Sequence, residues 1–171
     1  EIYGPDKPDL RIDLTVQDAT ACMEGCGFGP FEGQTVKAVV FSDFKATRKV
    51  IDKICADVEV QTGNKAYWFR LDENGELVGG ISKFLADRKD AVVEALSLKP
   101  GDFVGLAAGK KLAAQKTAGV IRKILGNTVE GHMNKECYEF CWIVDFPMYE
   151  IGEESGELEF CHNPFSMPQR S

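Results

Sequence analysis

The sequence predicts an α+β domain in which helices pack on an antiparallel sheet in two layers. Three observations lead to this class. The chain has 171 residues, a usual length for one domain and enough to bury a core without a disulfide or metal. Helical and extended patterns alternate along it without regular strand–helix–strand crossovers. Hairpin turns are predicted at 74–75 and at 153–156.

The chain begins with an extended lead-in. The segment YGPDKPDLR at 3–11 contains Pro5 and Pro8, and proline does not fit inside a helix. A Thr-x-x-Asp pattern beginning at Thr15 resembles a helix cap. It predicts a helix over about 16–25, ended by the glycines that follow.

The middle of the chain alternates strands and helices. Runs of β-branched, aromatic and apolar residues predict strands at 35–42, 66–71, 77–78 and 103–107. Apolar residues recurring every 3.6 positions predict helices at 47–62, 87–98 and 110–125, with a short helical turn at 81–85. Gly126-Asn127 is expected to end the last helix. Its predicted buried positions are Leu112, Ala113, Val120, Ile121, Ile124 and Leu125.

The last part of the chain has a different character. YEFCWIVDFPMY at 138–149 predicts a long aromatic strand, and 157–161 predicts its partner. No helix of its own follows to cover this hairpin, so we expect it to belong to another sheet. The predicted organisation is a lead-in at 1–14, the α+β domain at 15–134 and the hairpin segment at 135–171.

Composition excludes several classes of protein. The chain carries 20 basic and 27 acidic residues, for a net charge of −7. A general phosphate-binding surface needs many more cations than this. No apolar run reaches the ~18–20 residues of a membrane span, and no signal peptide opens the chain. A cytoplasmic protein is expected. The chain lacks an initiator Met and begins abruptly, which predicts a piece of a longer protein with an incomplete site.

The six cysteines do not predict a metal site or disulfides. Cys22 and Cys26, and likewise Cys137 and Cys141, are separated by three residues, a spacing that zinc sites tolerate. The first pair lies on a predicted helix and the second on a predicted strand, and neither lies on a tight turn. Reduced cysteines in a protein core are the favoured interpretation.

The basic stretch from Phe103 to Val129 has two interpretations. It carries no acidic residue and five basic ones, Lys110, Lys111, Lys116, Arg122 and Lys123. A solvated helix face explains them, and a weak contact with a nucleic-acid backbone is the alternative. The glycines at 105 and 109 resemble a phosphate loop, but their spacing is wrong, so a turn before a helix is favoured. The five glutamates around the 153–156 turn are expected to face water.

The two histidines differ in their settings. His132 lies in a predicted loop, where a solvated side chain is expected. His162 ends a predicted strand and precedes Asn163-Pro164-Phe165, so a strand and a proline turn position its ring. Spacing alone favours a structural role for His162.

Several motifs together resemble the bacterial aspartyl-tRNA synthetases, which are class II enzymes. The matching segments are YGPDKPDLR at 3–11, ISKFL at 81–85, KPGD at 99–102, AGK at 108–110, WIVDFPMYE at 142–150 and HNPF at 162–165. The middle three resemble the insertion of that family called the GAD domain. The outer ones resemble the strands by which the chain leaves and returns to the catalytic core.

The resemblance implies a homodimeric ligase with an N-terminal anticodon-binding barrel. Such an enzyme uses ATP and Mg²⁺ to form aspartyl-adenylate and transfers L-aspartate to the 3′ end of tRNA-Asp, without a prosthetic group. His162 matches the family histidine that closes over the bound aspartate, and Asn163 is its neighbour in the H-[HN]-P-F turn. The ATP ligands, the Mg²⁺ carboxylates and the specificity lysine of the family lie outside this segment. No catalytic or metal-binding residue is therefore expected here, and the segment alone is expected to be inactive.

The resemblance also defines the alternatives. A GAD domain occurs in a subunit of a tRNA-dependent amidotransferase, which would not need the 142–150 strand or the His162 turn. A free-standing interaction module is a third interpretation, which the uncovered aromatic hairpin disfavours. Whether the enzyme also charges tRNA-Asn stays open, because the anticodon-reading domain is not in this sequence.

Overall fold

The structure is a computed structural model that describes residues 2–4, 8–128, 133–134, 136, 138–142, 148–152 and 155–160. The chain divides into two units, Glu1–Glu139 and Phe140–Ser171. The predicted boundaries at residues 14 and 134 stay predictions. No helix in the described ranges is both long and apolar enough to cross a lipid bilayer.

A five-stranded antiparallel sheet forms the centre of the first unit. Its strands are β1 (Val16–Asp18), β2 (Thr35–Phe41), β3 (Ala66–Leu71), β4 (Leu77–Val78) and β5 (Phe103–Gly109). Their order across the sheet is β1-β2-β5-β3-β4. The central strand β5 pairs on one side with β2 and on the other with β3, so that Gly105 lies between Val39 and Trp68.

Helices cover both faces of this sheet. They are α1 (Thr20–Met23), α2 (Arg48–Thr62), α3 (Lys89–Ala95) and α4 (Lys111–Thr128), with 3-10 turns at Gly29–Phe31, Ser82–Phe84 and Ala86–Arg88. The long helices α2 and α4 lie on one face, and the short elements lie on the other. The predicted α+β class with an antiparallel sheet is confirmed, and the short elements add a cover on the second face.

Strand alternation divides the core into two clusters, because successive side chains point to opposite faces of a sheet. On the face of α2 and α4, the buried strand residues include Val39, Phe41, Trp68, Phe103 and Ala107. On the opposite face they include Val36, Ala38, Phe69, Val104 and Leu106. Trp68 stacks on Phe103, with ring centroids 5.9 Å apart.

Helix α2 matches its prediction. It follows Thr47, whose carbonyl accepts hydrogen bonds from the backbone N–H groups of Val50 and Ile51. It ends at Gly63, which has a φ of 68° and donates its N–H to the carbonyl of Glu59. Glycine adopts this left-handed conformation without steric cost.

The predicted helix over 16–25 is wrong. Residues Val16–Asp18 form strand β1, which pairs with β2, and only Thr20–Met23 are helical. In the Thr-x-x-Asp pattern it is Asp18, and not Thr15, that contacts the start of the short helix. The Asp18 carboxylate accepts the backbone N–H of Thr20 at 2.9 Å and so starts the short helix from the end of a strand.

The end and the buried face of the last helix also differ from prediction. Gly126 lies inside α4 and is buried, and the helix continues to Thr128. Leu112 is 59% exposed, whereas Gln115 and Arg122 are buried. The buried face is rotated because a segment from the start of the chain packs along α4. Two other elements differ less from prediction. Helix α3 begins at Lys89 rather than at 87, and β5 reaches Gly109 rather than 107.

The described residues of the second unit form one hairpin. It pairs β6 (Tyr149–Ile151) with β7 (Leu158–Phe160), in the antiparallel register predicted across 153–156. The predicted strand over 138–149 is wrong for 138–142, because those residues are not in a strand, and 143–147 lie outside the described residues. Trp142 is 94% exposed.

Candidate functional site

The residues that the resemblance assigns to aspartate binding, His162 and Asn163, lie outside the described residues. So do His132, Cys137 and Cys161. The described segment closest in sequence to His162 and Asn163 is strand β7, which ends at Phe160. The predicted role of His162 therefore stays a prediction.

The hairpin that precedes His162 has an apolar face. Tyr149 lies opposite Phe160, and Ile151 lies opposite Leu158. The ring centroids of Tyr149 and Phe160 are 4.8 Å apart. All four side chains are largely exposed within the described part of the chain. The hairpin thus presents apolar side chains from both strands on one side.

The basic stretch does not act as one surface. Lys110, Lys111, Lys116 and Lys123 are exposed on and beside α4. Arg122 differs from them, because only 1% of the residue is accessible to solvent. For Arg122, both the favoured solvated helix face and the alternative contact with a nucleic-acid backbone are therefore wrong.

Arg122 binds the backbone of the lead-in. Its Nε donates to the carbonyl of Leu14, and its Nη2 donates to the carbonyls of Asp9 and Ile12 at 2.9 and 2.7 Å. Its guanidinium carbon lies 5.1 Å from the ring centroid of Tyr3. Burial lowers the pKa of Arg122 from its ordinary value. Arginine still stays charged in proteins, so this is a buried cation held by carbonyl dipoles.

Asp9 supplies Arg122 with a carbonyl rather than with its carboxylate. The carboxylate forms a two-pronged pair with Arg11, at 2.8 Å to Nε and 2.6 Å to Nη2. This hydrogen bonding holds the pKa of Asp9 below its usual value. Arg11 therefore binds the side chain of Asp9, and Arg122 binds its backbone carbonyl.

Two glycines on α4 make room for the lead-in. Gly4, with a φ of 92°, packs against the backbone of Gly119, and a Cβ at Gly4 would overlap Gly119 Cα. A Cβ at Gly126 would lie 2.5 Å from Ile12 Cγ2. Gly119, Arg122 and Gly126 recur at helical spacing and form one stripe. Sequence reasoning missed this stripe, although an arginine flanked by two glycines at this spacing is a readable signal.

The glycines before α4 do not form a phosphate loop. Gly105 lies inside strand β5, where a Cβ would be 2.7 Å from Ile121 Cγ2. Its missing side chain lets α4 approach the sheet. Gly109 is the last residue of the same strand, so no loop of free N–H groups spans the two glycines. The favoured turn is therefore wrong for 105–109, which lie in the strand, and only Lys110 separates β5 from α4.

The described cysteines behave as core residues, with one exception. Cys22 donates its thiol to the carbonyl of Ala19 at 3.2 Å, and Cys26 is buried. Burial raises the pKa of the Cys22 and Cys55 thiols, which disfavours the thiolate that metals bind. Cys141 is exposed. Within the described ranges, no three His, Cys, Asp or Glu side chains are grouped to hold a metal ion.

One surface cavity of the first unit has a volume of about 300 Å³ and a mixed-charge lining. Asp43, Lys45, Arg70, Asp72 and Glu73 supply its charged groups. The Nε atom of Arg70 is buried and has no hydrogen-bond partner among the described residues. Three carboxylates against two cations do not favour a phosphate-bearing ligand.

A second cavity, of about 310 Å³, lies beside the end of the lead-in. Asp102 on its wall is buried, and its carboxylate accepts the backbone N–H of Lys99 at 2.8 Å. Ser97, with a φ of 52°, lies on the same wall just after the end of helix α3. The buried carboxylate of Asp102 therefore stabilises the turn at 99–102.

Comparison with known proteins gives a consistent result. The family model described as "GAD domain" matches residues 31–118. The chain is 42% identical over 170 residues to the aspartate–tRNA ligase of Streptomyces coelicolor. It is 36% identical over 174 residues to the aspartate–tRNA(Asp/Asn) ligase of Rickettsia africae. In both comparisons the match covers 98% of this chain and 29% of the relative. The chain therefore spans less than a third of the length of these curated relatives.

Proposed function

This chain belongs to the GAD domain family, and from that premise we propose that it is the GAD-containing segment of an aspartate–tRNA ligase. The resemblance to the GAD domain found in the sequence is confirmed by the match at 31–118. The wider assignment concerns a whole enzyme, of which this chain would be one part.

One observation carries the proposal. The similarity to aspartate–tRNA ligases covers 98% of the chain, whereas the GAD match ends at residue 118. The segments on either side of the GAD domain are therefore also similar to those enzymes. The apolar face of the β6–β7 hairpin supports this assignment, because a strand pair from a larger sheet would bury such side chains.

The proposed activity follows from the names of the relatives and from the sequence motifs. The whole enzyme would activate L-aspartate with ATP and Mg²⁺ and transfer it to the 3′ end of tRNA-Asp. We place it in the cytoplasm as a homodimer. The groups that hold ATP and Mg²⁺ would come from other parts of the enzyme, so the segment alone is proposed to be inactive.

His162 is the one substrate-binding residue proposed in this segment, with Asn163 beside it. The imidazole N–H of a histidine can donate a hydrogen bond to the aspartate carboxylate. Hydrogen bonds to charged groups contribute about 1.5–3 kcal/mol. Asn163 can donate through its amide but does not titrate near neutral pH.

The specificity for tRNA has two candidates. The Streptomyces relatives are named aspartate–tRNA ligases, and the Rickettsia relatives are named aspartate–tRNA(Asp/Asn) ligases. We propose tRNA-Asp as the substrate, because the relatives with 42% identity carry that name. Charging of tRNA-Asn by the enzyme that contains this chain is the direct test.

A segment exchange tests the proposed function. The matching segment of the Streptomyces coelicolor enzyme is replaced by residues 1–171 of this chain. We expect the chimera to catalyse aspartate-dependent ATP–pyrophosphate exchange and to charge tRNA-Asp. The isolated chain, at the same concentration, should show no exchange above a buffer blank.

Two outcomes would overturn the proposal. A chimera that folds, as judged by circular dichroism and a sharp thermal transition, but shows no exchange would exclude this role. Exchange by the isolated chain would mean that it contains an ATP site of its own. Aspartate replaced by asparagine in the same assay is the matched control for substrate specificity.

A further inference from the structure

We propose that Arg122 is a positioning residue that joins the two connecting segments of the GAD domain on helix α4. The connecting segments are the lead-in, Ile2–Gly4 with Pro8–Leu14, and the return segment, Met133–Asn134. The consequence for the enzyme rests on the proposed function. The set of contacts that holds the two connecting segments together on α4, called the joint below, is a property of this chain alone.

The lead-in contacts α4 and the neighbouring strand β1 at several points. The carbonyl of Ile2 accepts the backbone N–H of Val16 at 2.7 Å, which ties the start of the segment to β1. Gly4 then packs against the backbone of Gly119. Ile12 is 1% exposed and packs against Gly126. The segment is therefore held at both ends and in the middle.

The return segment is attached to the lead-in through its backbone. Met133 forms an isolated antiparallel bridge with Ile12. The backbone N–H of Asn134 donates to the carbonyl of Arg11 at 2.9 Å. The two connecting segments thus lie side by side, and whatever fixes the lead-in also fixes the return segment.

Arg122 is the group that fixes the lead-in. One guanidinium reaches the carbonyls of three lead-in residues, Asp9, Ile12 and Leu14. A guanidinium is planar and presents five donors in a fixed arrangement, whereas a lysine ammonium is a compact point charge. Lysine at this position would keep the charge but lose the simultaneous contacts. The carbonyls of Ile12 and Leu14 belong to buried residues, where an acceptor that loses its donor is costly.

The joint has a consequence for the proposed enzyme. The two connecting segments are those through which the domain would be attached to the catalytic core. A fixed joint sets the orientation of the domain without contributing a group to the ATP or aspartate sites. We therefore expect Arg122 to affect the reaction with tRNA and not the formation of the adenylate.

Hydrogen exchange on the 171-residue chain tests the joint. The reporters are the backbone N–H groups of Val16 and Asn134, whose acceptors are Ile2 and Arg11. We expect Arg122→Gln to speed exchange at both about 10–100-fold, with little change at Val104 in β5. Arg122→Lys should resemble Arg122→Gln. Arg48→Gln is the matched control, because the side chain of Arg48 is 77% exposed.

A second variant opens the same contact by different chemistry. Gly126→Ala places a methyl group 2.5 Å from Ile12 Cγ2 and should speed exchange at Val16 and Asn134 while Arg122 is intact. Combining it with Arg122→Gln should add little, because both changes act on one joint. This variant also reports on the joint if Arg122→Gln does not fold.

Exchange that stays slow at Val16 and Asn134 in both variants would overturn the joint. Exchange as slow in Arg122→Lys as in the wild type would also overturn the joint, because a positive charge alone would then hold the lead-in.

In the whole enzyme, we expect Arg122→Gln to lower kcat/KM for tRNA about 3–30-fold and leave pyrophosphate exchange within about twofold. Equal losses in the two assays, or none in either, would exclude the positioning role. A wild-type enzyme without either activity would instead refute the proposed function.

Discussion

Lys37 and Asp18 face each other across the β1–β2 pair, with the ammonium nitrogen 2.9 Å from the carboxylate oxygen. The lysine side chain is 8% exposed, while that of the aspartate is 60% exposed. Asp18 also accepts the backbone N–H of Thr20. One carboxylate therefore attaches an edge strand of three residues to the sheet and starts the helix after it.

This pair predicts an acid-dependent loss of stability. Hydrogen bonds from Lys37 and then Thr20 lower the pKa of Asp18 from 3.8 to about 2. A lowered pKa means that the stabilisation is complete above about pH 4 and disappears as the pH falls through 2. Because Asp18 is well exposed, we expect Asp18→Asn to cost only about 0.5–1 kcal/mol at pH 7.

The measurement is urea unfolding of both proteins at pH 7 and at low pH. The difference between wild type and Asp18→Asn should shrink towards zero near pH 2. A difference that is constant over this range would mean that the amide loses packing rather than charge.

Gly105 predicts a packing conflict between β5 and α4. In Gly105→Ala, the new methyl group would lie 2.7 Å from Ile121 Cγ2. Overpacking of a core typically costs about 1–3 kcal/mol, and we expect a loss in that range by urea unfolding. Ile121→Ala, which removes Cγ2, should cost less in the Gly105→Ala background than in the wild type, because it relieves the same clash. Gly29→Ala, where a methyl group meets open space, should stay within about 0.5 kcal/mol.

The exposed lysines beside and on α4 predict weak binding to tRNA. Four cations on a chain of net charge −7 can neutralise few phosphates. The slope of log affinity against log salt should therefore be no steeper than about −4. Filter binding of the isolated chain over a salt series measures it. Tight binding at physiological salt that is lost in Lys116→Ala with Lys123→Ala would support a nucleic-acid contact on this helix.

His162→Ala in the segment-exchange chimera should lower kcat/KM for aspartate about 10–100-fold, because one charge-assisted hydrogen bond is lost. The KM for ATP should change little, since no ATP ligand is expected in this segment. Pyrophosphate exchange with each substrate varied in turn gives both values. Unchanged kinetics with aspartate would assign His162 a structural role.

The cysteines should differ in their rates of alkylation. Burial raises the pKa of Cys22 and Cys55, so little thiolate is available near neutral pH, whereas Cys141 is exposed. Iodoacetamide followed by site-resolved mass spectrometry should find Cys141 modified well before Cys55. In urea the two rates should converge. Fast modification of Cys55 in the folded chain would contradict its packing against the core.

Sequence reasoning succeeded where the signal was local. Helix α2 has its apolar period, its start after Thr47 and its end at Gly63 within a single stretch. Strand β3 and its turn at 74–75 are equally self-contained. Each of these segments specifies its own structure, so no knowledge of its partner was needed.

The failures have a common physical cause, which is pairing between distant segments. Strand β1 has three residues and exists because Val16 pairs with Val39. Gly126 ends no helix because Ile12 packs against it. Arg122 resembles the lysines around it in sequence and differs only because its acceptors lie more than a hundred residues earlier. The site residue His162 was found from a motif, not from any of these patterns.

Trp68 and Trp142 differ in solvent exposure, and they give the chain two intrinsic fluorescence reporters. They are its only tryptophans; Trp68 is 8% exposed and Trp142 is 94% exposed. The indole of Trp142 should therefore emit at longer wavelength and be quenched readily by iodide, while Trp68 should emit at shorter wavelength and resist the quencher. A blue shift of the Trp142 emission alone would report that the segment around Trp142 has become covered by another molecule or segment. A red shift of the other component would report unfolding of the sheet.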